Sequence, residues 1–257
     1  VGPAAMMTSR DMRGVSVSAY PADAEELELL AADTPLAAWP SMSAVQSSEI
    51  LPLSDGLTPV APLPSSHDAT KDFLVDCCKV LIAAEDDLNA LDAKTGDGDT
   101  GSTLAGAARA LIGATDRLPL ADQTQLYRAI GLELSQTMGG SSGVLLAIFF
   151  AAAGDGSSSG LSMRDALKAG MTRMQEIGGA EIGDRTMIDA LAPALDALET
   201  GVWEAASAAR SGADHTATMV QAKAGRASYL NAQQLEGHVD PGAEAVARLF
   251  EHLAKAQ

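Results

Sequence analysis

The chain has 257 residues, 47% of them hydrophobic but only 4% aromatic, and a formal net charge of -17. That length allows one large domain or two small ones, and the Ala/Leu-rich composition suits close-packed helices. The acidic excess argues against nucleic acid and anionic membrane as partners, since both are bound through a surplus of Lys and Arg, and it means that an anionic ligand has to be met through a cation.

In chain order, Met12 to Ala19 alternates Val15, Val17 and Ala19 against Ser16 and Ser18, the period of a half-buried strand, and Ala24 to Ala32 reads as a short helix. One strand and one helix cannot bury a core, so residues 1–40 read as the tail of a preceding domain. The first residues look like the middle of a domain, which leaves a targeting peptide upstream open. Residues 41–66 turn to Ser, Pro and Thr without periodicity, with prolines at 52, 59, 62 and 64, as an interdomain linker does.

From 67 to 257 the pattern is helical almost throughout. Leu74, Cys77, Leu81, Ala84, Leu88 and Leu91 form one apolar face. Further helices are expected at roughly 102–114, 121–138, 141–153, 163–177, 185–199, 202–223 and 241–255, with glycine-rich breaks at 139–140, 154–160, 178–179, 225 and 237–242. About eight helices with short connections predict an all-α, up-and-down arrangement. The longest apolar run, Val144 to Ala153, is about half of what a bilayer span needs, which predicts a soluble chain. Adjacent Cys77 and Cys78 in a helical pattern read as buried small hydrophobes of a reducing compartment, which places the chain in the cytoplasm.

The densest chemistry lies in Asp92 to Gly101, where three carboxylates and three glycines share ten residues between two helices. Carboxylates alone repel a polyphosphate, whereas carboxylates that hold Mg2+ receive it through the ion. Glycines permit tight, positive-φ turns, so that Asp92, Asp97 and Asp99 can converge on one or two cations while the next helix points its first N–H groups at the same phosphates. The plainer reading is that Asp97 and Asp99 only cap that helix. Gly96 to Gly101 formally fits G-x-G-x-x-G, but a helix and not a strand leads in, and no P-loop pattern occurs. An EF-hand fails because the position that needs a loop-closing Glu is Ala108. Four later segments carry weaker signals. Gly139 to Gly143 is either a capped turn or a phosphate approach. Gly183 to Met187 and Gly225 to Tyr229 each put an Arg, Arg185 or Arg226, beside a glycine, and each Arg is either a solvated surface group or part of a site. Asp240-Pro241 is ordinary helix-start punctuation.

Leu88 to Gly101, Met138 to Gly143, Gly183 to Leu191, Gly225 to Leu230 and Asp240 to Ala243, in this order and spacing, resemble the nucleotide-binding domain of the dihydroxyacetone kinases over residues 67–257. Upstream, Met12 to Ser18 and Ala37-Ala38-Trp39-Pro40 resemble the last strand and exit of that family's dihydroxyacetone-binding domain. The fused order is similar to that of the single-chain, ATP-dependent members, the triokinase/FMN cyclase type included. The resemblance implies a barrel of eight antiparallel helices in which Asp92, Asp97 and Asp99 ligate two Mg2+ ions that bridge the phosphates of ATP or ADP. It further implies that Thr100, Gly101, Ser102 and Thr103 with Ser141 and Ser142 cradle the phosphates. Gly178, Thr186, Met187, Arg226, Asp240, Pro241 and Gly242 would border the nucleoside.

The activity implied is transfer of the γ-phosphoryl group of ATP to dihydroxyacetone, with glyceraldehyde as a further candidate. In that family the triose is held on a His of the preceding domain, so no catalytic residue is assigned to His67, His215, His238 or His252, and this chain alone should bind Mg-nucleotide without turning over triose. A homodimer, with the helical domain capping the substrate domain of the same or a neighbouring chain, is expected by resemblance. Three alternatives stand beside it: a phosphotransferase-system subunit with ADP as a bound cofactor, although Thr100 stands where those relatives carry His; a fatty-acid kinase nucleotide domain; and a helical module that only senses nucleotide.

Overall fold

The computed structural model describes residues 21–35 and 62–256. The chain divides into two compact units, Val1–Pro59 and Val60–Gln257. In the first, α1 (Ala24–Ala31) starts in a capping box, Asp23 accepting from the Glu26 N–H while the Glu26 side chain accepts from the Asp23 N–H, each at 2.9 Å. The strand expected at 12–19, the exit at 37–40 and residues 41–61 of the expected linker lie outside the described residues.

The second unit is helical: α2 (Asp68–Ala83), α3 (Glu85–Thr95), α4 (Thr100–Ala114), α5 (Gln123–Thr137), α6 (Gly140–Ser158), α7 (Met163–Gly178), α8 (Ile188–Ala197), α9 (Val202–Thr216), the single turn α10 (Ala232–Leu235) and α11 (Pro241–Lys255). Among the described residues there is no strand, only an isolated bridge that pins Ser65 to the 118–120 segment. The run from Leu74 to Leu91 is broken at Ala84, where α3 begins with Glu85, Asp86 and Asp87. Three consecutive acids favour the positive end of a helix dipole, so a new first turn is the favourable place for them.

Helix α6 runs through the expected break at 154–160 as far as Ser158. Its glycines are contact points: a Cβ on Gly154 would come 2.7 Å from Arg128 Cγ of α5, and one on Gly156 3.2 Å from Ala166 Cα of α7. By length and composition this 19-residue helix is apolar enough to cross a membrane, the one such helix among the described residues; here it packs between α5 and α7. Gly178 faces Leu145 and Gly170 faces Phe149, so α6 and α7 run antiparallel.

The packing order closes on itself. The bent pair α2/α3 packs on α4, α4 on α5, then α6, α7, α8, α9 and α11 follow, and α11 returns to α2 and α3. These eight members form an antiparallel barrel. Small side chains make the close approach possible, with Ala105, Ala114, Ala153, Ala166, Ala190, Ala194, Ala209, Ala213 and Ala247 at 0% exposure. Because alternate members run the same way, the starts of α4, α6, α8 and α11 lie at one end, and so do the positive ends of their dipoles.

Candidate functional site

The loop between α3 and α4 is organised by one carboxylate. Asp92, 7% exposed in the last turn of α3, presents Oδ2 to the backbone N–H groups of Gly98 (3.1 Å), Asp99 (2.9 Å) and Thr100 (3.1 Å). Folding the loop back this far takes Gly98 to φ 81° and leaves no room for a Cβ at Gly96, which would strike the Asp92 carboxylate. The result is that one carboxylate oxygen from each of Asp92, Asp97 and Asp99 lies within 4.8 Å of the other two. Three like charges at that spacing repel by about 1 kcal/mol per pair even in water. A hard divalent cation with oxygen ligands removes the repulsion, and the donor set fits Mg2+.

Capping does not explain the cluster. Asp99 is the N-cap of α4 but its side chain makes no cap hydrogen bond. The first turn is served from α3 instead: Thr100 N–H goes to Asp92, and Ser102 N–H goes to Asn89 Oδ1 at 3.0 Å while Asn89 Nδ2 donates to Ser102 Oγ at 2.9 Å. This differs from the expectation of an open helix start. Two of the backbone donors of the first turn, the N–H groups of Thr100 and Ser102, are thus already engaged. Gly101 lets the helices approach, because a Cβ there would collide with the Glu85 carbonyl oxygen.

Ser141 and Ser142 are exposed in the first turn of α6, and Gly178 ends α7, where a Cβ would lie 3.0 Å from Leu145 Cδ2. The starts of α8 and α11 form a further cluster. Asp189, 4% exposed, accepts from the N–H groups of Gly183 (2.6 Å) and Thr186 (2.7 Å), which sets the entry of α8. Asp240 donates its N–H to Thr216 Oγ1 at 2.8 Å and caps α11 by accepting from Ala243 N–H at 2.9 Å, with Pro241 in the first turn. Gly242 packs on Met187, so Thr186-Met187 and Asp240-Pro241-Gly242 are brought together. Arg226 opens a 3-10 turn, 226–229, between α9 and α10. These clusters share the barrel end that gathers four helix starts.

Two carboxyl groups in the second cluster depart from ordinary behaviour. Loss of water pushes the Asp240 carboxyl up to about 6, against the pull of the Ala243 N–H and Arg185, with Asp189 adding to the rise. Asp184 is held below the usual carboxylate range by Lys223, 2.8 Å away, and by the Glu181 N–H. Arg185 is not a surface group: it is 1% exposed, at φ 61°, with Nη2 donating to the His238 carbonyl at 2.6 Å. Of the two cysteines expected to be buried, Cys78 is buried and Cys77 is half-buried. Burial raises Cys77 to about 11, with Asp76 adding to it, and Cys78 to about 12, so neither is a thiolate nucleophile.

Asn89, Asp189 and Thr216 were not singled out by the sequence. Asn89 lies three residues before Asp92, hence on the same helix face, and that spacing is a usable signal. Asp189 in a first helical turn resembles any other helix start. Thr216 has no local signal, since its role depends on the end of α9 lying beside the start of α11.

A family model described as the DAK2 domain matches residues 94–255. A dihydroxyacetone kinase of Citrobacter freundii is 40% identical over 262 residues, covering 100% of this chain and 48% of that protein. A triokinase/FMN cyclase of Homo sapiens is 34% identical over 266 residues, covering 95% of this chain and 46% of that protein. Among solved structures, the C. freundii dihydroxyacetone kinase in complex with AMP-PNP and Mg2+ superimposes with a TM-score of 0.70 at 36% identity, over 91% of this chain and 42% of that one. The chain thus spans about half the length of the curated relatives it matches.

Proposed function

The chain belongs to the DAK2 domain family, and on that premise we propose that it is the nucleotide-binding part of an ATP-dependent dihydroxyacetone kinase, with residues 1–40 the end of the dihydroxyacetone-binding domain. The observation that carries this reading is the convergence of Asp92, Asp97 and Asp99 within 4.8 Å at the end of the barrel where four helices start. The relative whose structure holds AMP-PNP and Mg2+ supports a nucleotide and a divalent ion as ligands.

In this reading Asp92, Asp97 and Asp99 hold two Mg2+ ions. The ions, when bound, would neutralise the charge that develops on the phosphate oxygens during phosphoryl transfer. The chain's own part is positioning: Asp92 fixes the loop, Asn89 fixes Ser102, and the hydroxyls of Thr100, Ser102, Thr103, Ser141 and Ser142 hold the phosphates. Thr186, Met187 and Asp240 to Gly242, with Gly178 and Arg226, flank the nucleoside. The reaction is transfer of the γ-phosphoryl group to a hydroxyl of dihydroxyacetone, the hydroxyl proton leaving to solvent or to a group on the substrate domain. Glyceraldehyde is a second acceptor to test.

Calorimetric titration of the chain with ATP or ADP, with and without Mg2+, tests the site. Binding should require the divalent ion, and Asp97→Ala or Asp99→Ala should weaken it by roughly 100-fold or more. Unchanged Mg-dependent affinity in either variant would remove the metal assignment. Phosphorylation of dihydroxyacetone should appear only when the substrate domain is supplied.

A further inference from the structure

Arg185 combines three features that ordinary surface arginines lack. It is the one non-glycine residue at positive φ among the described residues, its side chain is 1% exposed, and two of its donors, Nε and Nη1, have no hydrogen-bond partner. An arginine in the left-handed region carries backbone strain, and a buried guanidinium with open donors has lost its water without full replacement, so the surroundings must over-determine both. The surroundings are two loops. On the Arg185 side, Asp189 grips the N–H groups of Gly183 and Thr186, holding the chain on either side of the arginine. On the other side, Nη2 grips the His238 carbonyl, two residues before Asp240, whose N–H is in turn held by Thr216.

Burial also opposes the charge on the guanidinium, with Asp240 as the carboxylate that favours it. A structural tie could be made by an apolar side chain at lower cost, so the buried charge points to a role in placing polar groups.

Resting on the nucleotide reading above, we propose that Arg185 is a positioning residue: by holding the 238–242 segment at a fixed distance from Thr186-Met187, it sets the width of the slot that receives the nucleoside and so governs nucleotide affinity without touching the aspartate loop.

The test separates the nucleoside from the phosphates. The full chain and its Arg185→Lys and Arg185→Met variants are titrated with Mg-ATP and with Mg-tripolyphosphate, and each variant's Tm is measured alongside. Lysine keeps the charge and can reach one acceptor but lacks the planar fork. The expected result is about tenfold or greater loss of ATP affinity in Arg185→Lys, more in Arg185→Met, with tripolyphosphate affinity within about twofold of the parent. Equal losses for the two ligands, or unchanged ATP affinity despite a lowered Tm, overturn the proposal and leave a purely structural tie. If Arg185→Met does not fold, Arg185→Lys decides; if neither folds, the residue is structural and the proposal falls. A parent chain that binds tripolyphosphate but not ATP more tightly overturns the nucleoside slot itself, whereas a parent that binds neither overturns the proposed function and the inference with it.

Discussion

Asp92 accepts three backbone N–H groups on one oxygen, and the positions of Asp97 and Asp99 follow from that single side chain. The loop also depends on how near α4 can approach α3, which Gly101 decides. Gly101→Ala drives a methyl into the Glu85 carbonyl and should destabilise the domain by about 1–3 kcal/mol, outweighing the gain in helix propensity. Gly106, one turn and a half further along α4, has nothing within 4 Å of a modest added Cβ and is exposed. Gly106→Ala should therefore stabilise by about 0.5–1 kcal/mol. Denaturant midpoints of the two variants, with unchanged m values, check the pair; a loss at both positions would mean that helix spacing is not the cause. The sequence displays both glycines alike, because the difference lies on another helix.

At the scale of elements, periodicity located the helices, while their ends were set by partners. The α6 helix continues past Gly154 because α5 and α7 come close there, and the helical pattern expected to 223 stops at Thr216, whose hydroxyl meets the start of α11. The ring is closed by ion pairs. Glu244 of α11, 8% exposed, pairs with Arg210 of α9 and with Arg248, which also reaches Asp87 of α3 at 2.8 Å. Burial would raise the Glu244 carboxyl, but the two guanidinium groups together outweigh it and hold it below the usual range. Glu244→Ala leaves both arginines short of a partner in a half-buried seam and should cost about 2 kcal/mol, with Arg210 and Arg248 keeping their outer pairs. Thermal unfolding reads this as a Tm several degrees lower; an unchanged Tm would mean that the seam is held by its alanines and Leu88 alone.

For the whole molecule, the pH dependence of stability has an identifiable contributor of unusual sign. The folded Asp240 carboxyl titrates near 6, above its ordinary value of 3.8. A carboxyl raised on folding contributes stability that is present below the unfolded value and lost as pH rises through the folded one. Asp240→Asn keeps an oxygen for the Ala243 N–H and removes that loss. The Tm of the variant minus that of the parent should therefore become more positive between about pH 4 and pH 7, by an amount equivalent to at most about 3 kcal/mol. Glu244, Asp165 and Asp184, all held low in the folded chain, act in the opposite direction but are common to both proteins and cancel in the difference. A pH-independent difference would show that Asp240 is solvated in the native state.

By itself the sequence determined the helical class, because a 3.6-residue apolar period can bury itself in only one kind of element, and it determined the aspartate loop, because three carboxylates and three glycines within ten residues form a local unit. Only the tertiary structure decided that Asn89 takes the Ser102 N–H, that Arg185 is buried and not solvated, and that Thr186-Met187 meets Asp240-Pro241-Gly242. The first is a contact across the α3–α4 loop, decided by how closely those two helices approach, whereas the other two depend on segments distant in the chain lying side by side, and closing the ring is what places them there.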